Sequence, residues 1–239
     1  MADIVGQEIK FIRLNEHDLI GRCMQVGFFE GHVISKAVEL MKNAEPGIVL
    51  DIGANMGSFS IPLAYYNPNF HFVCFEPQRM VYNQLCGNVA INYLNNVEPY
   101  NFGLSTESKS LIVQVPDYRL ETNIGAFSLD DEVRSKEDYL CKTKGMQEQI
   151  YLRTLDSIMI EHIRLIKIDV EGMELDVIKG GLETLKKNGY PPILFESWES
   201  RDWFLPRRQE LFSFLESLGY EVTSMGEDNF AVYKGEVNE

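Results

Sequence analysis

Cysteine and histidine are scarce in this 239-residue chain, with four of each. Cys23, Cys74, Cys86 and Cys141 form no C-x-x-C pair and have no histidine at zinc-ligand spacing, so the sequence offers neither a zinc site nor a disulfide framework. They read as free thiols, with Cys74 in a strand and Cys86 in a helix acting as small hydrophobes. Positive charge is also in deficit. The 22 Lys and Arg against 36 Asp and Glu leave a formal net charge of −14, which disfavours DNA or RNA as partner because phosphate binding needs clustered cations. No uninterrupted apolar run approaches ~18 residues, no Asn-x-Ser/Thr sequon occurs, and the first ten residues lack the basic start and apolar stretch of a leader. The expectation is a cytoplasmic protein with no membrane partner.

What is present is a hydrophobic content of 45%, enough for a full core, and a length that suits one domain over residues 1–239. Residues 1–45 read as a small N-terminal flap, with candidate strands at Ile9–Leu14 and Leu19–Val26, followed by a helix over His32–Lys42. Strands are predicted from Gly47, over Phe70–Phe75, over Val97–Leu104, over Leu165–Val170 and over Ile193–Phe195, with helical patterns between them. Pro62 predicts a short or kinked helix after the first strand. One helix is predicted from Met173 to Gly189 and another from Pro206 to Gly219, and Tyr220–Ser224 with Phe230–Lys234 reads as a terminal hairpin. Between residues 106 and 154 the helical alternation stops; strand-like pieces at Leu111–Val115 and Gln149–Leu152 mark an insertion, and the charged stretch Asp130–Lys144 reads as a mobile, solvated loop or helix face. There is no internal repeat.

The most informative segment is Val49-Leu-Asp-Ile-Gly-Ala-Asn-Met-Gly57, followed by Phe75-Glu-Pro77. An apolar run ending in a carboxylate and a glycine turn before a helix places this turn at the carboxyl edge of a parallel strand, where open α/β sheets bind ligands. A dinucleotide fingerprint needs G-x-G-x-x-G, and Asn55 stands where its second glycine belongs. Asp51 and Glu76, at the ends of successive strands, instead bring two carboxylates to one pocket, which suits a cationic amine and a ribose diol. S-adenosylmethionine carries both. The bland alternative is a tight turn with Asp51 as a helix cap.

Three motifs in order, Asp51–Gly57, Phe75–Pro77 and Ile166-Lys-Ile-Asp-Val-Glu-Gly-Met-Glu174, resemble the FkbM family of S-adenosylmethionine-dependent methyltransferases over about Gly27 to Glu196. The resemblance implies an α/β class I methyltransferase fold, Rossmann-like, with a mostly parallel seven-stranded sheet, an antiparallel C-terminal strand, the N-terminal flap and a β-rich insertion. It implies O-methylation of a hydroxyl on a sugar, glycan or small-molecule natural product. The expected cofactor contacts are Glu30, Asp51, Gly53, Ala54, Asn55, Gly57, Ser58, Phe59, Glu76, Pro77, Gly103, Leu104 and Asp169. Thr122–Leu129 resembles a family segment on the substrate side.

An alcohol acceptor must lose a proton, and a positioned carboxylate at a strand end is the candidate base. Asp169 and Glu196 are the first candidates and Glu171 the next, while Glu174 reads as a helix surface residue making local pairs. The same carboxylates offer hard oxygen ligands to a divalent metal, an alternative that is not favoured. Lys167 reads as snorkelling or paired, and His32 as a capping or partly exposed residue. Trp198, Trp203 and Phe204 read equally as an acceptor pocket, a lid or core. An NAD-linked oxidoreductase and a non-catalytic binding module on the same fold are the rival functions.

Overall fold

In the computed structural model, which describes residues 9–12, 14, 29–119, 123–137 and 146–235, the elements run α1 (Gly31–Met41), β1 (Ile48–Ile52), α2 (Ser60–Tyr66), β2 (His71–Phe75), α3 (Arg79–Ile91), β3 (Val97–Tyr100), β4 (Gly103–Leu104), β5 (Lys109–Gln114), α4 (Asp131–Lys136), β6 (Gln147–Arg153), β7 (Ile163–Ile168), α5 (Glu174–Lys179), α6 (Leu182–Lys187), β8 (Ile193–Glu196), α7 (Leu205–Ser217), β9 (Tyr220–Met225) and β10 (Asp228–Tyr233). Seven strands form one sheet in the order β3-β2-β1-β7-β8-β10-β9. Every neighbouring pair is parallel except those of β10, which runs antiparallel to both β8 and β9. This is the sheet the sequence leads one to expect. Chain order reverses between β1 and β7, so the crevice at their carboxyl ends is a topological switch point.

Strand alternation divides the core. Leu50, Ile52, Ile166 and Ile168 face α5, α6 and α7 through Val177, Leu185, Leu211 and Leu215. Val49, Phe72, Cys74 and Leu165 face the opposite layer, where α1, α2 and α3 contribute Ala37, Ile61 and Leu85. The helix α2 is short, and Pro62 sits at its third position, where the missing N–H has no intrahelical acceptor in any case. Among the described residues, no helix is long and apolar enough to cross a membrane.

Three local expectations are corrected. The strand expected over Val97–Leu104 divides: β3 pairs with β2, whereas Gly103–Leu104 joins β6 and β5 in a separate three-stranded sheet over Val113, Phe127 and Ile150. The helix expected from Met173 breaks into α5 and α6 at Gly180-Gly181, and the first of these positions must be glycine because a Cβ there would lie 2.1 Å from the Ser105 carbonyl oxygen. Gly180→Ala is therefore expected to cost about 1–3 kcal/mol, seen as a lower urea midpoint at unchanged slope. Residues Ile9–Ile12 form no strand; α3 holds their backbone through side-chain amides. Asn92 exchanges two hydrogen bonds with Lys10 at 2.8 and 2.7 Å, Asn88 accepts from the Ile12 N–H and Gln84 donates to the Ile12 carbonyl, both at 2.6 Å. The charged stretch Asp130–Lys144 begins as the second form expected of it, a solvated helix face: Asp130 caps the helix by accepting from the Glu132 and Val133 amides and pairs with Arg207 at 3.0 Å, while Asp131, Glu132, Ser135 and Lys136 are exposed. The second candidate flap strand, Leu19–Val26, Cys23, Cys141 and the rest of that stretch beyond Glu137 lie outside the described residues.

Candidate active site

The switch-point crevice opens into a cavity of about 1050 Å³ including its mouth. Its floor is the ends of β1, β2, β7 and β8, and the Asn123–Leu129 segment covers one side. Glu30, Gly53, Asn55, Glu76, Pro77, Gly103, Leu104, Asp169, Glu171 and Glu196 of the expected site residues line it. Phe29, Gln78, Phe127 and Met173 also line it; Phe29 stands beside Glu30, Phe127 lies in the substrate-side segment and Met173 in the third motif, so of these only Gln78 carried no sequence signal.

The turn after β1 brings backbone close to the cavity. Gly53 has φ +79°, and a Cβ there would lie 1.8 Å from the Asp169 carbonyl oxygen, so only glycine fits. Asn55 takes the left-handed conformation at φ 51° that the sequence allows for. Glu76 pins this turn: its carboxylate accepts from the Asn55 N–H at 3.0 Å and from the Gln78 N–H at 2.8 Å. Burial raises the Glu76 pKa to about 7 against those hydrogen bonds.

Asp51 does not line the cavity. It is 0% exposed beneath the turn, accepts from the Ser60 hydroxyl and lies 3.5 Å from Lys167 Nζ, its direct cross-strand neighbour. The pocket that the sequence reading built from Asp51 and Glu76 therefore has only Glu76 in its wall. Ala54 and Phe59 pack in the core, Gly57 packs against Ile61 and Leu85, and Ser58 is half-buried outside the lining.

The other end of the cavity is acidic. Lys167 is buried but not snorkelling: it pairs with Asp169 at 3.1 Å and donates to the Gly53 carbonyl at 3.2 Å. Burial opposes its charge, yet Asp169, Asp51 and Glu30 prevail and raise its pKa above the usual lysine range. Glu30, in a left-handed conformation at φ 51° before α1, is raised to about 7 by burial and by Asp169. Glu171 and Glu196 are both pushed well up, first by burial and then by Asp169. One oxygen from each of Asp169, Glu171 and Glu196 lies within 4.8 Å of the other two, close enough to share a cation. Asp169 is engaged by Lys167, and Glu196 accepts from Trp198 Nε1 at 2.9 Å. Glu174 is not the surface residue expected. It is 2% exposed, and burial raises its pKa to about 7.

Raised carboxylates fix the sign of a pH effect. Glu30, Glu76 and Glu174 move from 4.5 to about 7, so between those values the folded chain binds more protons than the unfolded one. Stability of the ligand-free protein is expected to fall as pH rises through this window; thermal melts across it provide the check.

His32 is exposed and bonded to Asp228 on β10, away from the cavity lining. Trp198, Trp203 and Phe204 form a cluster with Val133 instead of an acceptor wall. Phe204, Trp198 and Val133 close on Gly172, where a Cβ would meet Val133 at 3.1 Å and Phe204 at 3.2 Å.

A family model for the methyltransferase FkbM domain matches residues 51–222. This chain belongs to the FkbM methyltransferase family. The chain is 26% identical over 182 residues to the 2-O-methyltransferase NoeI of Sinorhizobium fredii, covering 72% of each chain. It is 28% identical over 210 residues to the AMB antimetabolite synthetase AmbE of Pseudomonas aeruginosa; that match takes in 74% of this chain but spans only a tenth of the relative's length, 10%. The fold is similar to that of the precorrin-6y C5,15-methyltransferase from Geobacter metallireducens, at TM-score 0.50 and 14% identity over 85% of this chain and 88% of the other. The FkbM match begins at Asp51 and takes in the glycine turn, Glu76 and the Asp169–Glu174 motif that build the cavity.

Proposed function

We propose that this FkbM protein binds S-adenosylmethionine in the switch-point crevice and methylates a hydroxyl oxygen on a small natural product or glycan. The observation that carries the reading is Glu76, held by two backbone amides at the cavity wall opposite a cluster of carboxylates. The residues fit the cofactor. Gly53 has no side chain to cover its backbone, Glu76 retains lone pairs for ribose hydroxyls, and Glu30, Asp169 and Glu196 suit a positively charged ligand. When bound, S-adenosylmethionine supplies an electrophilic methyl carbon on a sulfonium.

An NAD pyrophosphate fits less well. No Lys, Arg or His is among the described lining residues, and the Asn55 N–H is spent on Glu76. The name of the 2-O-methyltransferase relative supports oxygen as the acceptor atom. For the proton, geometry moves Glu171 ahead of Asp169 and Glu196: among the described residues it alone of the three has no hydrogen-bond or ion-pair partner, and its raised pKa improves it as a base. Burial comes first among the causes of that raised pKa, followed by the charges of Asp169 and Glu174. The cation-sharing spacing of the trio keeps a divalent metal as the second reading.

Calorimetric titration with S-adenosylmethionine, S-adenosylhomocysteine and NAD, with and without Mg²⁺, tests the site. Binding of the first two alone is expected. NAD binding in their place overturns the reading, and Mg²⁺-dependent affinity selects the metal variant. Glu76→Ala is expected to weaken S-adenosylmethionine about tenfold or more, the scale of hydrogen bonds to a charged group. Release of S-adenosylhomocysteine with a panel of methyl glycosides separates an enzyme from a non-catalytic module.

A further inference from the structure

Among the described residues, seven non-glycine residues have positive φ, and Glu30, Asn55 and Glu171 of these line the cavity. Left-handed backbone is unfavourable for a side chain such as glutamate, so something must hold it there. For Asn55 that is Glu76, through the Asn55 N–H. For Glu171, at φ 56°, the holding group is Glu174. Its Oε1 accepts from the Val170 N–H and from the Gly172 N–H, both at 3.1 Å, so that the two amides flanking Glu171 converge on one oxygen. Gly172 is also left-handed, at φ +95°. Successive N–H groups turned to one side in this way form an anion-binding concavity, and here a carboxylate of the same chain fills it. Glu174 opens α5 yet reaches back beyond the helix start, so it does more than cap its own first turn.

We propose that Glu174 is a positioning residue: by clamping the Val170 and Gly172 amides it holds Glu171 in its left-handed conformation and keeps that carboxylate in the cavity beside Asp169 and Glu196. The assignment rests on the reading of the crevice as a methyl-transfer site. The clamp itself requires an acceptor oxygen at position 174, because the two bonds come from neutral amides; the Glu174 charge acts separately, helping to raise the Glu171 pKa, so a neutral side chain at 174 should shift the pH–rate profile to lower pH while the clamp persists. Gln supplies that oxygen on a side chain of the same length.

The test compares Glu174→Ala, Glu174→Gln, Glu171→Gln and the double variant Glu171→Gln/Glu174→Ala. The measurements are S-adenosylhomocysteine release with the methyl glycoside panel, S-adenosylmethionine affinity, and hydrogen exchange over residues 170–172. Glu174→Ala is expected to lower kcat about tenfold or more, as small misplacements of a reacting group do. S-adenosylmethionine affinity should stay within about twofold, because the interaction lost is not one made with the bound cofactor. Exchange at Val170 and Gly172 should rise. Glu174→Gln should restore most of the rate and the protection, and Glu174→Ala should add nothing further in the Glu171→Gln background. Multiplying effects in the double variant, a Gln variant as impaired as the Ala variant, or unchanged exchange overturns the proposal. If Glu174→Ala does not fold, Glu174→Asp, too short to reach both amides, takes its place. Failure of the wild type to bind S-adenosylmethionine overturns the site reading instead, and the exchange comparison still decides the clamp.

Discussion

Lys167→Met is expected to lower stability by about 3–5 kcal/mol, the scale of removing one partner from a buried ionic group. Lys167 stands on β7 directly across from Asp51 on β1, and its ammonium lies 3.5 Å from Asp51 and 3.1 Å from Asp169 while donating to the Gly53 carbonyl. Asp51 is fully buried, and one of its oxygens has no hydrogen bond at all; the ammonium is the positive charge facing that oxygen. Without it, Asp51 must stay charged in an apolar layer or take up a proton. Burial already raises the Asp51 pKa against the lowering by Lys167, so the variant should raise it further and lose more stability as pH increases. Asp51→Asn in the Lys167→Met background removes the stranded charge and should recover much of the loss. Urea unfolding of the two single variants and the double variant measures the coupling. Additive effects, or a loss under about 1 kcal/mol for Lys167→Met, would show that the pair is spectator chemistry and that the Gly53 turn is held by packing alone.

This pair also shows what a sequence can and cannot announce. The glycine turn, the strand before it and Glu76 were legible because their signals are local: an apolar run, left-handed positions at Gly53 and Asn55, and a carboxylate at the next strand end. That Asp51 faces inward to Ser60 and Lys167 depends on register between β1 and β7, which are more than a hundred residues apart in sequence. The division of Val97–Leu104 is non-local in the same way, since Gly103–Leu104 leaves the main sheet to pair with β6. Gly180-Gly181 was a visible warning inside a helical pattern, but what demands glycine at 180 is the Ser105 carbonyl on another segment. Glu174 closes the third motif, but its role was not legible, because an acidic residue opening a helix is ordinary and only the fold turns its carboxylate back onto the preceding loop. Among the three candidate bases, composition and spacing could not choose. The choice needs to know which carboxylate already has a donor.

That choice makes the last prediction. Glu171→Gln is expected to lower kcat by about 10²- to 10⁴-fold, the contribution of a positioned general base, with S-adenosylmethionine affinity nearly unchanged. Asp169→Asn and Glu196→Gln act differently. Asp169 follows burial as a cause of the raised Glu171 pKa, so removing its charge should lower that pKa and move the rising limb of the pH–rate profile to lower pH. A base works only when deprotonated; activity should therefore rise with pH through the raised Glu171 pKa in the wild type, and that limb should vanish in Glu171→Gln. Glu196 accepts from Trp198 Nε1, so Glu196→Gln should retain more rate than Glu171→Gln, the amide oxygen still accepting from the indole. If the order is reversed, with Glu196→Gln the slower variant and Glu171→Gln keeping its rising limb, the proton goes to Glu196. The left-handed turn at Glu171 then serves to press a second negative charge against that base rather than to present the base itself.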